Sequence, residues 1–188
     1  MFMSSTLRSA SLALICLTAV AAVNPASAQT HFHGTAGSGA WGRYAGGGYT
    51  RNNNGTITHQ GAHYYQGTNG ASYNGHNSFT SNPDGAASSS HHFSGTTAAG
   101  GSYSSSGAYS RSSSGAVSGS SQTNAGGPRG TYDASTTTAN GVTTHDTTAT
   151  NAATGVTYDG QTTYTKGQGF THSGSCTNAS GQSVSCGQ

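Results

Sequence analysis

Histidine is the reactive residue type in excess in this chain of 188 residues, of which only 5% carry a charged side chain. The histidines are His31, His33, His59, His63, His76, His91, His92, His145 and His172. A neutral imidazole is a good ligand for borderline metal ions and the usual proton carrier near neutral pH. The sharpest placement is near the start. If the chain is cut after Ala28, then Gln29, Thr30 and His31 supply a free amine, two ionisable amides and an imidazole. Four such nitrogens are the square-planar set that Cu(II) or Ni(II) prefers, and His33 lies on the same side of an extended chain. Against this, an N-terminal Gln29 can cyclise and lose its amine.

Other reactive types are sparse. Cys176 and Cys186 flank a short segment centred on Ser180-Gly181. In an oxidising compartment they are expected to form a disulfide that staples a terminal hairpin. A redox or metal pair is disfavoured, because C-x-x-C spacing and a neighbouring cationic cluster are both missing. His145 sits beside Asp146, but neighbours in a strand point to opposite faces, so they make no dyad. The remaining carboxylates, Asp84, Asp133 and Asp159, are far apart along the chain. With no P-loop, G-x-S-x-G or H-E-x-x-H pattern, the sequence argues against an enzyme.

The elements that hold these residues follow an export signal. Arg8 gives a positive start, Leu12 to Val23 is apolar apart from Thr18, and Asn24-Pro25 precedes the small-x-small site Ala26-Ser27-Ala28. This reads as a secretory signal over 1–28. The apolar run falls short of the roughly 20 residues that span a bilayer, so no membrane span is expected after cleavage. The expected location is extracellular, at the cell surface, or in a periplasm.

From Gln29 onward there is no leucine, glutamate or methionine, and the branched aliphatics are Ile57, Val117, Val142, Val156 and Val184. Such a chain cannot bury the apolar area that holds an ordinary domain together. Its bulk is Ser, Thr, Asn, Ala and Gly, with 30 glycines and 10 tyrosines. An uncharged mixture of this kind either stays disordered or pairs backbone to backbone as β structure. The cations Arg43, Arg51, Arg111, Arg129 and Lys166 are scattered singly, which argues against nucleic-acid binding.

Turn dipeptides recur at an interval of about 15 residues. They are Asn54-Gly55, Asn69-Gly70, Asp84-Gly85, Gly100-Gly101, Ser114-Gly115, Arg129-Gly130, Asn140-Gly141, Thr154-Gly155 and Ser180-Gly181, with a looser match at Gly169. β-prone runs such as Thr56-Ile57-Thr58 and Val156-Thr157-Tyr158 follow them. The predicted fold class is all-β, partly disordered, and either of two architectures fits. One is an antiparallel meander. The other is a β-solenoid with an extra turn at the mid-repeat glycines Gly61, Gly75, Gly95, Gly107, Gly160 and Gly174. The expected organisation is a Gly/aromatic-rich flexible arm at 29–53, Gly/Ser/Tyr-rich repeats at 54–129, and Thr-rich β repeats with the Cys hairpin at 130–188.

The ending Cys176-Thr177-Asn178-Ala179-Ser180-Gly181-Gln182-Ser183-Val184-Ser185-Cys186, with Thr/Ser/Tyr-rich strands before it, resembles that of small, uncharacterised secreted repeat proteins of bacteria. The resemblance covers the last third of the chain and implies no activity. Composition is also similar to curli-type surface proteins, although their regularly spaced Gln and Asn ladders are missing. The expected function is a structural or adhesive role at the cell surface or in the extracellular matrix, acting by β self-association. Tyr64, Tyr65, Tyr73, Tyr103, Tyr132, Tyr158 and Tyr164 are the candidate contact residues. The alternatives are Cu or Ni binding through the mature N-terminus, and an ice-binding face of Thr136, Thr138, Thr143, Thr147, Thr162 and Thr165.

Overall fold

The computed structural model describes residues 29–186, so the expected signal segment 1–28 lies outside the described residues. Within them the chain is a single open antiparallel sheet of 12 strands in sequence order, a meander. The strands are β1 (Gln29–Gly39), β2 (Gly42–Asn53), β3 (Thr56–Gly67), β4 (Ser72–Ser81), β5 (Ala87–Thr96) and β6 (Ser102–Arg111). They continue with β7 (Val117–Gly127), β8 (Gly130–Ala139), β9 (Val142–Asn151), β10 (Thr157–Thr165), β11 (Gly169–Thr177) and the short β12 (Ser183–Val184).

Each turn dipeptide of the sequence lies in a strand-to-strand connection or at its edge. The interval of 15 has a simple origin in the middle of the sheet. A 10-residue strand alternates with a five-residue connection in which Gly accepts the left-handed backbone. At Asn82–Ala86 the Gly85 amide donates to the Asn82 carbonyl (3.0 Å) and the Asn82 amide to the Ala86 carbonyl (2.8 Å). The same pair of bonds recurs at Gly67–Ala71, Thr97–Gly101, Ser112–Ala116 and Asn178–Gln182. Asn54-Gly55 and Asn140-Gly141 instead form two-residue turns, with both residues at positive φ (49° and 81°, 52° and 77°). That is the type I′ geometry whose twist matches a hairpin.

The solenoid alternative is thereby excluded. Gly61, Gly75, Gly95, Gly107, Gly160 and Gly174 are not turns but strand-interior residues of β3, β4, β5, β6, β10 and β11. The segment expected as an arm at 29–53 likewise differs. It forms β1 and β2, paired along their whole length from Gln29↔Asn52 to Gly39↔Gly42, and β2 pairs on to β3. Residues 54–129 are strands and tight turns throughout.

Because side chains alternate along a strand and pair across the ladder, the register divides them into two faces. One face, here the aromatic face, carries Tyr44, Tyr65, Tyr73, Phe79, Phe93, Tyr103, Tyr109, Tyr132, Tyr158, Tyr164 and Phe170. All six mid-strand glycines point the same way. The other, hydroxyl face is mostly Ser, Thr, Asn and Gln from β4 to β11, and it holds Asp133, Asp146 and Asp159. Its aromatic exceptions lie on β1–β5, where Phe32 packs on Tyr49 at 6.0 Å between ring centroids, Tyr64 lies exposed and His76 stacks on His92 at 5.4 Å.

A single layer has no interior. The only buried apolar side chains among the described residues are Ala134 (8% exposed) and Cys176 (5%). Order therefore comes from ladder hydrogen bonds and from rings lying along the sheet, as the shortage of aliphatic side chains requires. The Cys176–Cys186 disulfide is formed, with Cα atoms 5.2 Å apart, and holds the last hairpin against β11.

Candidate functional site

The most ordered constellation is a row of tyrosines. Following the register from β2 to β11 along one line perpendicular to the strands gives Tyr44, Tyr65, Tyr73, Gly95, Tyr103, Ala125, Tyr132, Ala149, Tyr158 and Cys176. From β4 to β10 tyrosines on even strands alternate with Gly or Ala on odd strands, and Cys176 of β11 ends the row. The small residues give the rings room to lie down. A Cβ added at Gly37 would meet the Tyr44 ring at 2.7 Å, one at Gly95 the Tyr103 ring at 2.7 Å, and one at Gly174 the Tyr158 ring at 2.8 Å.

Hydrogen bonds fix these rings in place. The Tyr103 hydroxyl donates across Gly95 to the Ser72 carbonyl (3.4 Å), and the Tyr65 hydroxyl to the Trp41 carbonyl (3.0 Å). The Tyr158 hydroxyl lies 3.3 Å from His172 Nε2. Tyr73 is stacked with Phe93 (5.9 Å, 20°), which stacks in turn on His91 (5.3 Å, 22°). Burial raises the Tyr73 phenol above its ordinary pKa of 10.0, and the neighbouring Tyr103 adds to the rise, so it stays protonated at neutral pH.

The seven candidate tyrosines are therefore not equivalent. Tyr65, Tyr73, Tyr103, Tyr132 and Tyr158 stand in the row. Tyr164 is on the same face but in another row, packed on Phe170 at 4.8 Å. Tyr64 is on the opposite face, bonded to Gln66 Oε1 (3.2 Å). Sequence reasoning missed Tyr44, which heads the row on β2. Counting alternate residues outward from each turn glycine would have found it.

In extended β1 of the uncut chain the side chains of Gln29, His31 and His33 share the aromatic face while Thr30 points to the other, and all are paired with β2. Among the described residues no group of three or more His, Cys, Asp or Glu is spaced to hold a metal ion. What β1 does bring together is His33 and His59 of β3, stacked at 6.0 Å and 10° across the glycine-rich middle of β2. His59 Nδ1 is bonded to Thr50 Oγ1 (2.9 Å).

His145 and Asp146 point to opposite faces. His145 is held between Thr136 (2.8 Å) and Thr147 (3.0 Å), whereas Asp146 accepts from Gln161 Nε2 (2.7 Å). The six threonines expected to form one flat array are split. Thr136, Thr138, Thr143, Thr147 and Thr162 lie on the aromatic face around His145, and Thr165 lies on the hydroxyl face. Two other threonine rows cross the hydroxyl face, Thr137-Thr144-Thr163-Thr171 and Thr131-Thr150-Thr157-Thr177. Asp133, Asp146 and Asp159 stand between them.

No family model matches this chain, and no curated protein or solved structure is found similar to it.

Proposed function

We propose that this is an exported structural or adhesive protein of the cell surface or extracellular matrix that self-associates by β pairing. The observation that supports this reading is the outer edge of β1. That strand is 11 residues long, from Gln29–Gly39, and reads QTHFHGTAGSG. It contains no Lys, Arg, Asp, Glu or Pro, and its backbone pairs regularly with β2 along its whole length. Natural sheets protect an edge with charge, proline, bulges or a covering element; β1 carries no charged residue, proline or bulge, and among the described residues no element covers it. At the opposite edge β12 and the disulfide close over Cys176 and Thr177 only, and the rest of β11, Gly169 to Ser175, is also uncharged and has no strand paired outside it. Two β1 strands pairing antiparallel about a two-fold axis would extend the sheet with both aromatic faces on one side.

Sedimentation velocity of the disulfide-bonded chain starting at Gln29, over a range of concentrations, tests this. Self-association that weakens in Thr35→Lys and in Ala36→Lys, and that ignores chelators, supports it. A monomer at every concentration, or association abolished by chelators, overturns it.

A further inference from the structure

We propose that the tyrosine row on the aromatic face is a docking track for a single chain of a neutral, β-1,4-linked polysaccharide. It stands independently of the edge pairing at β1, since it uses a face and not an edge.

Tyr73, Tyr103, Tyr132 and Tyr158 occupy β4, β6, β8 and β10 at one register position, so successive rings are two strand spacings apart, about 9.6 Å. Tyr44 extends the row at β2. In a β-1,4-linked pyranose chain each sugar is flipped relative to the last, so the same ring face recurs once per disaccharide. That repeat is close to, and slightly longer than, the tyrosine period. An α-1,4-linked chain coils and offers no such straight repeat.

The Tyr44, Tyr103 and Tyr158 rings lean over Gly37, Gly95 and Gly174 onto the sheet, whereas Tyr73 is stacked on Phe93. The negative π face is what the axial C–H groups of a β-linked pyranose stack against. Tyr44 is 50% exposed and Tyr132 is 38% exposed, so the platform is open.

One register position along, Ser105, Thr123 and Thr147 share the face, with Ser105 and Thr123 hydroxyls 3.0 Å apart. They are placed to exchange hydrogen bonds with sugar hydroxyls. Asp133, Asp146 and Asp159 all point from the opposite face. With no carboxylate on the track and Arg111 its one fixed cation, at a strand end, the face suits an uncharged chain and gives a polyanion little attraction.

Sheet twist narrows the ligand further. Neighbouring strands turn by about 20–25°. Successive tyrosines therefore rotate relative to one another, and a single flexible chain can follow them where a rigid crystalline surface cannot.

The test is calorimetric titration of the disulfide-bonded chain from Gln29 with cellohexaose, chitohexaose and, as the α-linked control, maltohexaose. Binding of either β-linked hexamer in preference to maltohexaose is expected. Tyr132→Ala, which replaces a ring flanked by Ala125 and Ala149, should weaken that binding about tenfold, the equivalent of one lost stacking contact. Tyr132→Phe should retain it, and Thr137→Ala on the opposite face should leave it unchanged. Thr35→Lys should retain it even if self-association is lost, which separates this proposal from the edge reading. The proposal is overturned if neither β-linked hexamer binds, if maltohexaose binds equally, or if Tyr132→Ala has no effect. It is equally overturned if sedimentation shows Tyr132→Ala converting a dimer to monomer without any glycan, because a second copy would then be the occupant.

Discussion

The ring of Tyr158 on β10 lies across Gly174 on β11, so that a Cβ at 174 would fall 2.8 Å from both its ring and its hydroxyl oxygen. That relationship, an aromatic side chain resting on a glycine of the neighbouring strand, recurs along the sheet and replaces the interior that the composition cannot supply. Gly174→Ala should therefore push the ring aside, and because only the outer end of one partly exposed side chain must move, the cost should be at the low end of overpacking, about 1 kcal/mol. The clash is with a side chain alone, so the same substitution should cost much less in a Tyr158→Ala background. Urea midpoints of the two single variants and the double variant measure the coupling.

The two-residue turns depend on left-handed backbone at a non-glycine position. Asn140 has φ 52° and is followed by Gly141 at 77°. Asn140→Ala should cost about 1–2 kcal/mol, because a Cβ without a local polar partner is strained there. Asn140→Gly should be nearly neutral. Thermal midpoints of both variants decide it.

Reducing Cys176–Cys186 should remove about 2–3 kcal/mol of stability on a loop-entropy basis, since the bridge closes a sequence separation of only 10. It should also free Cys176 and Thr177, the part of the β11 edge that β12 covers, so association at high concentration should increase on reduction. Denaturation and sedimentation with and without reductant report the two effects separately.

Alkaline pH should destabilise the sheet through Tyr73. Its folded pKa is raised above the ordinary 10.0, chiefly by burial and then by Tyr103, so the protonated phenol favours the folded state. Stability is retained below the unfolded value and falls as pH rises through the folded one. Tyr73→Phe should flatten this part of the thermal midpoint against pH.

Much of this architecture is written in the turns. Asn54-Gly55, Asp84-Gly85 and Asn140-Gly141 announce hairpins because few residues other than Gly, Asn and Asp tolerate positive φ. The mid-strand glycines are less transparent. Gly75 or Gly160 taken alone is as consistent with a turn as with a space left for a ring, and only the register shows which neighbour needs that space. The same ambiguity hides β2, whose Gly46-Gly47-Gly48 suggests a loose arm. In place it is a bare strip between His33 of β1 and His59 and His63 of β3, and a Cβ at Gly46 would lie 2.7 Å from His63 Nδ1. The candidate tyrosines were visible as residues, but their division into a row, an outlier and an opposite face depends on pairing that spacing alone does not fix.

The central claim is that this chain is ordered by its backbone ladder without a buried apolar interior. The heat capacity change of unfolding, measured by scanning calorimetry on dilute, monomeric protein from Gln29, tests it most directly. Because hydration of newly exposed apolar surface dominates that quantity, the account predicts a value well below the usual ~12–15 cal/mol/K per residue. A value within the usual range would show that a hidden core exists and would contradict it.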